Sequence, residues 1–164
     1  MRALALLVFI TASCSGGAVS TRESEDDLDA FKIWKVFPEG VAISALDHSG
    51  LFECSVAIRL SLDPETKSVV YAFYVPSTGQ NTTFHLKADD RPGSVTFTMG
   101  SDPTPLAAEF YYSDYKTCAV ERLDFNGGEC MLWARKEVYN SLPESCIDHY
   151  EETCGAKVPA DKKI

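Results

Sequence analysis

The residues best suited to redox, metal or nucleophilic chemistry are six cysteines and three histidines. The sequence has no Cys-x-x-Cys pair of the kind found in zinc sites, and His48, His85 and His149 are scattered along the chain. His48 follows Asp47 in a predicted turn, and His149 follows Asp148 on a predicted exterior helix, where adjacent residues do not face each other. The Gly-x-Ser-x-Gly motif of nucleophilic hydrolases is also absent from the sequence. The sequence therefore predicts a protein that is not an enzyme and that uses neither a metal nor a cofactor.

The first 27 residues are predicted to precede the folded domain. Residues 1–18 begin with Met1 and Arg2, continue as an apolar run and end in small residues, as is typical of a secretory signal peptide. A lipoprotein signal processed at Cys14 is the alternative. Residues 19–27 are polar and acidic, so we expect a flexible N-terminus followed by one domain over residues 28–164. Five cysteines remain after cleavage, and most of them should be paired outside the cell.

The charge and the surface motifs agree with a secreted protein. The formal net charge is −9, which argues against binding to nucleic acid or to anionic membrane surfaces. The segment Asn81-Thr82-Thr83 is a sequon for N-glycosylation, and it follows a predicted turn over residues 77–80. We therefore expect Asn81 to be an exposed glycan acceptor.

Apolar and polar residues alternate in a way that predicts eight short strands between two helices. The amphipathic segment from Leu28 to Lys35 predicts a short N-terminal helix that ends near Pro38 and Gly40. The predicted strands cover residues 41–46, 51–60, 68–75, 82–88, 94–99, 106–112, 116–123 and 129–136. A last helix is predicted between Pro143 and Gly155. This order predicts an all-β fold, an eight-stranded antiparallel lipocalin barrel with the C-terminal helix packed outside.

Several strings in the last third of the chain carry a family resemblance. They are Tyr112-Ser113-Asp114-Tyr115-Lys116-Thr117-Cys118-Ala119-Val120, Cys130-Met131-Leu132-Trp133, Leu142-Pro143-Glu144-Ser145-Cys146 and the segment from Tyr150 to Gly155. Together they resemble the tick salivary lipocalins, which include histamine-binding, serotonin-binding and leukotriene-binding members. Asp29-Ala30-Phe31 with Trp34 is a looser match. The resemblance implies a secreted, monomeric protein that binds a small host molecule inside its barrel.

The resemblance also implies a disulfide pattern. Cys118 is expected to bridge to Cys146, and Cys130 to Cys154. Cys54 is similar to the second-strand cysteine of the family, whose usual partner near the C-terminus is missing here, so it is expected to be a free thiol. The alternative is a bridge from Cys54 to Cys154, which would leave Cys130 unpaired.

These implied bridges decide which side chains face the barrel interior. If Cys118 and Cys130 point outward to the last helix, strand alternation turns their neighbours inward. An outward Cys54 would likewise turn Arg59 inward. The expected ligand-binding residues are Trp133, Met131, Ala119, Glu121, Phe110, Tyr112 and Arg59. The alternatives are ordinary core packing for the aromatic residues and a solvated barrel mouth for Glu121 and Arg59.

The nature of the ligand follows from two positions that the resemblance identifies. Amine-binding members carry an acid directly after the seventh-strand cysteine and another directly before the Leu-Trp pair. Ala119 and Met131 occupy these positions here, so tight amine binding would require Glu121 or Glu129 to substitute. We therefore expect an eicosanoid, a fatty acid or a sterol, with Arg59 available to a carboxylate. A biogenic amine such as histamine or serotonin is the alternative ligand.

The function that these expectations imply is sequestration of a small host mediator, which suppresses host inflammation. A different class of function is immunomodulation by binding of a host immune protein. In that case the outer loops from Ser101 to Pro105 and from Asp124 to Gly128 would form the contact surface.

Overall fold

The computed structural model describes residues 28–46, 52, 54–76 and 78–158, without the side chains of Ser44 and Leu46. The elements are α1 (Ala30–Val36), β1 (Glu39–Leu46), β2 (Val56–Asp63), β3 (Ser68–Val75), β4 (Gln80–Ala88), β5 (Ser94–Met99), β6 (Asp102–Ser113), β7 (Cys118–Leu123), β8 (Glu129–Arg135) and α2 (Glu144–Cys154). The predicted signal peptide and acidic N-terminus lie outside the described residues. Neither of the two helices is long and apolar enough to cross a membrane.

The eight strands form one closed antiparallel barrel in chain order, and β1 pairs with β8 to complete it. The predicted eight-stranded barrel with two flanking helices is confirmed. Alternate residues of each strand fill the interior, as β3 illustrates: Val69, Tyr71, Phe73 and Val75 are buried, whereas the residues between them are less so. The interior is therefore a packed core that can hold a small ligand at most.

Five strands begin at residues other than those predicted, and the differences are largest for β2 and β6. β2 covers Val56–Asp63 rather than residues 51–60. β6 begins at Asp102, so that Pro103 and Pro105, which the sequence indicated as part of a turn, lie within the strand. The ladder between β5 and β6 shifts register between Phe97 and Met99, and such an irregularity tolerates residues without a backbone N–H. The predicted outer loop over residues 101–105 is therefore mostly strand.

The helix α2 packs on the outer wall of the barrel and is tied to it by two disulfides. Cys118 bridges Cys146 with Cα atoms 6.1 Å apart, and Cys130 bridges Cys154 with Cα atoms 5.7 Å apart. Both implied bridges are thus present, and the alternative bridge from Cys54 to Cys154 is excluded. Cys54 is exposed and belongs to neither bridge.

The helix α1 packs its apolar side on the barrel interior. Asp29 caps its first turn, where the carboxylate accepts a hydrogen bond of 3.0 Å from the backbone N–H of Lys32. The segment before the helix is held by the N–H of Gly93, which donates to the carbonyl of Leu28 at 2.7 Å. Ile33 and Trp34 are buried in the same core cluster as the inner residues of the strands. The helix therefore supplies part of the wall around the barrel interior.

Candidate ligand-binding site

A cavity lies inside the barrel next to α1. Its volume is about 50 Å³, so a ligand of more than a few atoms can enter only if lining side chains move. The lining residues are Ile33, Trp34, Phe37, Gly40, Ala57, Tyr71, Phe73, Leu86, Phe110, Ala119, Glu121 and Trp133. Half of them are aromatic, and Glu121 is the one charged residue among them. Small-molecule sites are typically apolar hollows of this kind with a few polar groups that orient the ligand.

Pairing between β7 and β8 brings the most distinctive lining residues together. Ala119 lies opposite Trp133, and Glu121 lies opposite Met131, on the inner face of the barrel. The indole of Trp133 reaches toward β1, where a Cβ atom on Gly40 would lie 3.5 Å from its Cε3 atom. This is an ordinary van der Waals distance, so the indole packs closely against the backbone of Gly40. The disulfide cysteines, which alternate with these residues, point outward to α2.

Glu121 provides a buried carboxyl group on the cavity wall. The residue is 7 % exposed, and its Oε2 atom accepts a hydrogen bond of 3.0 Å from the Nε1 atom of Trp133. No basic side chain forms a salt bridge with it among the described parts of the chain. Burial raises the pKa of Glu121 to about 8, although the hydrogen bond from Trp133 lowers it. The carboxyl group is therefore mostly protonated at neutral pH when the cavity is empty.

Aromatic rings enclose the rest of the cavity. Phe73 and Trp133 meet edge to face with ring centroids 5.5 Å apart, and Trp34 and Phe110 meet similarly at 6.5 Å. The hydroxyl of Tyr71 donates a hydrogen bond of 2.6 Å to the backbone carbonyl of Phe37, and burial raises the pKa of this tyrosine. The hydroxyl is thus already engaged by protein. The ring faces are surfaces on which a flat apolar group or a cation can bind.

The structure brings four of the seven predicted ligand-binding residues to the cavity. Trp133, Ala119, Glu121 and Phe110 all line it. Met131 also faces the interior and is completely buried, but it packs in the core and is not part of the cavity wall. The remaining two predicted residues lie elsewhere.

The prediction that Tyr112 faces the interior is wrong. A bulge in the ladder between β6 and β7 falls between Phe110 and Tyr112, so the two residues do not share a face. Tyr112 points outward and stacks on His149 of α2, with ring centroids 3.7 Å apart. Simple strand alternation fails here because a bulge inserts one extra residue.

Arg59 supports α1 instead of lining the cavity. Its Nη1 atom donates to the backbone carbonyl of Trp34 and, at 3.2 Å, to that of Lys35. The carbonyl of Trp34 would normally accept from the residue four positions later, but that residue is Pro38, which has no N–H. Arg59 therefore replaces a hydrogen bond that the helix cannot make. The expectation that it is available to a ligand carboxylate is not met.

The lining residues from α1 and from the middle strands were not predicted as ligand-binding residues from the sequence. These are Ile33, Trp34, Phe37, Gly40, Ala57, Tyr71, Phe73 and Leu86. Alternation alone indicates that Tyr71 and Phe73 share a face of β3, but no disulfide shows which face is the inner one. The residues of α1 carry no such signal, because their contribution depends on how the helix docks.

Comparisons with known proteins agree with this architecture. The family model described as tick histamine binding protein matches residues 48–162. The structure of AM182 in complex with serotonin is similar, with 17 % identity, coverage of 90 % of this chain and 92 % of that one, and a TM-score of 0.63. A comparison with curated protein sequences finds no significant match.

Two further solved structures share the fold. A biogenic amine-binding protein is 12 % identical over 81 % of this chain and 79 % of its own, with a TM-score of 0.55. The amine-binding protein of Rhodnius prolixus with tryptamine is 12 % identical over 81 % of this chain and 78 % of its own, with a TM-score of 0.53. At these identities the likeness establishes a lipocalin-like barrel. The family match covers most of the sequence, so the chain belongs to the tick histamine-binding protein family.

Proposed function

We propose that this protein is a secreted salivary lipocalin that sequesters a small protonated amine in its barrel and so suppresses host inflammation. The observation that carries the proposal is the buried carboxyl group of Glu121 in a wall that is otherwise apolar and largely aromatic. An ionised carboxylate is costly to bury unless a cation pairs with it. A ligand ammonium supplies that cation, and binding requires no reaction.

The family and the similar structures support this chemistry. Histamine gives the family its name, and two of the similar structures are complexes with serotonin and tryptamine. These molecules combine an ammonium group with a flat aromatic ring. The ammonium would pair with Glu121, while the ring would lie between aromatic residues such as Phe73 and Trp34.

Glu121 can replace the acid that the family resemblance places at Ala119. The two residues are two positions apart on β7, and both line the cavity. One acid suits a monoamine with a single ammonium group. The imidazole of histamine would need a second polar partner, but the Tyr71 hydroxyl is already bonded to Phe37. We therefore propose an indole-type monoamine as the preferred ligand.

A fatty acid or an eicosanoid fits the cavity less well. Its carboxylate would meet the acid Glu121, and the guanidinium of Arg59 is bonded to α1. Lys87 on β4 is exposed and does not line the cavity. Within the described part of the chain, no feature of the outer loops specifically favours binding of a host protein.

Calorimetric titration tests the proposal directly. The protein is titrated with serotonin, histamine, a leukotriene and a sterol, and serotonin is expected to bind tightest with one molecule per chain. Glu121→Gln keeps the shape of the side chain but removes the charge, and should weaken serotonin binding by roughly 2–4 kcal/mol. Glu109→Gln is the matched control, because Glu109 pairs with Arg91 at 2.6 Å and lies away from the cavity. Tight leukotriene binding without amine binding, or an unchanged Glu121→Gln variant, would contradict the proposal.

A further inference from the structure

An apolar patch lies on the outer face of β2 and β3. Its members are Ile58, Leu60 and Tyr74, which are 46 %, 59 % and 43 % exposed. Leu60 falls within a bulge between Arg59 and Ser61, which interrupts the alternation of β2. Each of these apolar side chains is more than two-fifths exposed, and an exposed apolar patch can mark a surface that another group covers.

The register of the sheet brings this patch next to the glycosylation sequon. Asn81 on β4 pairs directly with Tyr74 on β3. On the other side of β3, Ile58 of β2 pairs with Ala72, so it lies diagonally across from Tyr74. Directly opposed residues of an antiparallel pair share one face of the sheet, with Cβ atoms about 4.5–5.5 Å apart. Asn81 is exposed. The acceptor amide and the tyrosine ring are thus nearest neighbours on the outer wall.

We propose that an N-linked glycan on Asn81 lays its first N-acetylglucosamine on the ring of Tyr74 and covers the apolar patch. A sugar ring presents C–H groups on its face and hydroxyl groups at its edge. The C–H face can contact the aromatic ring while the hydroxyl groups stay in water. The following sugars extend over Ile58. This inference rests on the secretory route in the proposed function, but it does not depend on which ligand the cavity binds.

The first test asks whether the site is occupied. The full chain is secreted from cells that attach high-mannose glycans, and the mass of the product is measured before and after treatment with peptide N-glycosidase. We expect a glycan mass that the enzyme removes and that is absent from both Asn81→Gln and Thr83→Ala. Thr83→Ser is the matched control, because it preserves the sequon and should keep the glycan. Secreted protein without carbohydrate at Asn81 overturns the proposal.

The second test asks whether the first sugar covers Tyr74. An endoglycosidase trims the glycan to a single N-acetylglucosamine, and the trimmed protein is compared with Asn81→Gln by binding of an apolar fluorescent dye. We expect the signal to rise about twofold or more in Asn81→Gln and to stay below that level in the trimmed protein, where the remaining sugar still covers Tyr74. The variant Tyr74→Ser should abolish this difference.

Equal dye binding by all forms overturns the proposal. Dimerisation of the glycosylated protein through the patch also overturns it, because a second copy of the chain would then cover the patch. Thermal unfolding shows whether each variant is folded. Neither result depends on amine binding, so failure of this inference can be distinguished from failure of the proposed ligand.

Discussion

Acidification is expected to weaken serotonin binding, because Glu121 must lose a proton before it can pair with the ammonium. In the empty cavity burial raises the pKa of Glu121 to about 8. An alkylammonium such as that of lysine titrates near about 10, so the ligand stays charged at and below pH 8. The ionised fraction of Glu121 falls from about one half at pH 8 to about one hundredth at pH 6.

The size of the effect follows from this fraction. The apparent dissociation constant varies inversely with the population that can bind, so it should rise about 50-fold between pH 8 and pH 6, or about 2.3 kcal/mol. The same linkage requires that binding release about 0.9 proton at pH 7. The raised pKa sets the direction: the affinity is half its maximum at about pH 8, approaches the maximum about one pH unit higher, and is lost as the pH falls.

Isothermal titration calorimetry in two buffers with different heats of ionisation measures both quantities. Glu121→Gln should bind serotonin weakly at every pH and release no proton. Glu109→Gln should behave as the unchanged protein does. An affinity that stays constant from pH 8 to pH 6, without proton release, would refute the pairing of the ammonium with Glu121.

Other perturbations test the supporting structure. Trp133→Phe removes the hydrogen bond that lowers the pKa of Glu121. Serotonin affinity at neutral pH should therefore fall, and the pH at which the affinity is half its maximum should rise. An unchanged midpoint in the same calorimetric titration would contradict this. The free energy of unfolding of the empty protein should decrease by up to about 5 kcal/mol as the pH rises from about 4.5 to about 8, because over this range Glu121 is ionised in the unfolded chain but protonated in the folded one. Denaturant unfolding of Glu121→Gln should lack this pH dependence. Arg59→Ala should cost about 1–2 kcal/mol in urea unfolding, because α1 loses a donor to its last carbonyls. Because α1 forms part of the cavity wall, the substitution should also speed ligand release in stopped-flow fluorescence, and equal release rates would mean that the docking of α1 does not limit release. Replacing Cys118 and Cys146 with serine should lower the free energy of unfolding by about 3–4 kcal/mol, as expected for a loop of 28 residues, and a loss below 1 kcal/mol would show that helix packing alone holds α2.

Local patterns in the sequence were sufficient to predict the barrel and part of the cavity lining. Each strand of this meander contains its own alternation and ends at turn-forming residues, so its existence depends on neighbours in the chain. On β7 and β8 the outward cysteines mark one face, and the regular two-residue period then turns Ala119, Glu121 and Trp133 inward. The assignment succeeds there because neither strand has a bulge in the ladder between them.

Only the tertiary structure decided the remaining features of the site. Tyr112 faces outward because β6 and β7 shift register in a bulge, and Arg59 supports α1 because the helix docks where Pro38 leaves a carbonyl without its usual donor. Burial raises the pKa of Glu121, and the cavity in which it is buried is also lined by residues of α1 and of the distant strand β3. Bulges, helix docking and desolvation arise from contacts between residues far apart in the chain, and no local period of the sequence records them.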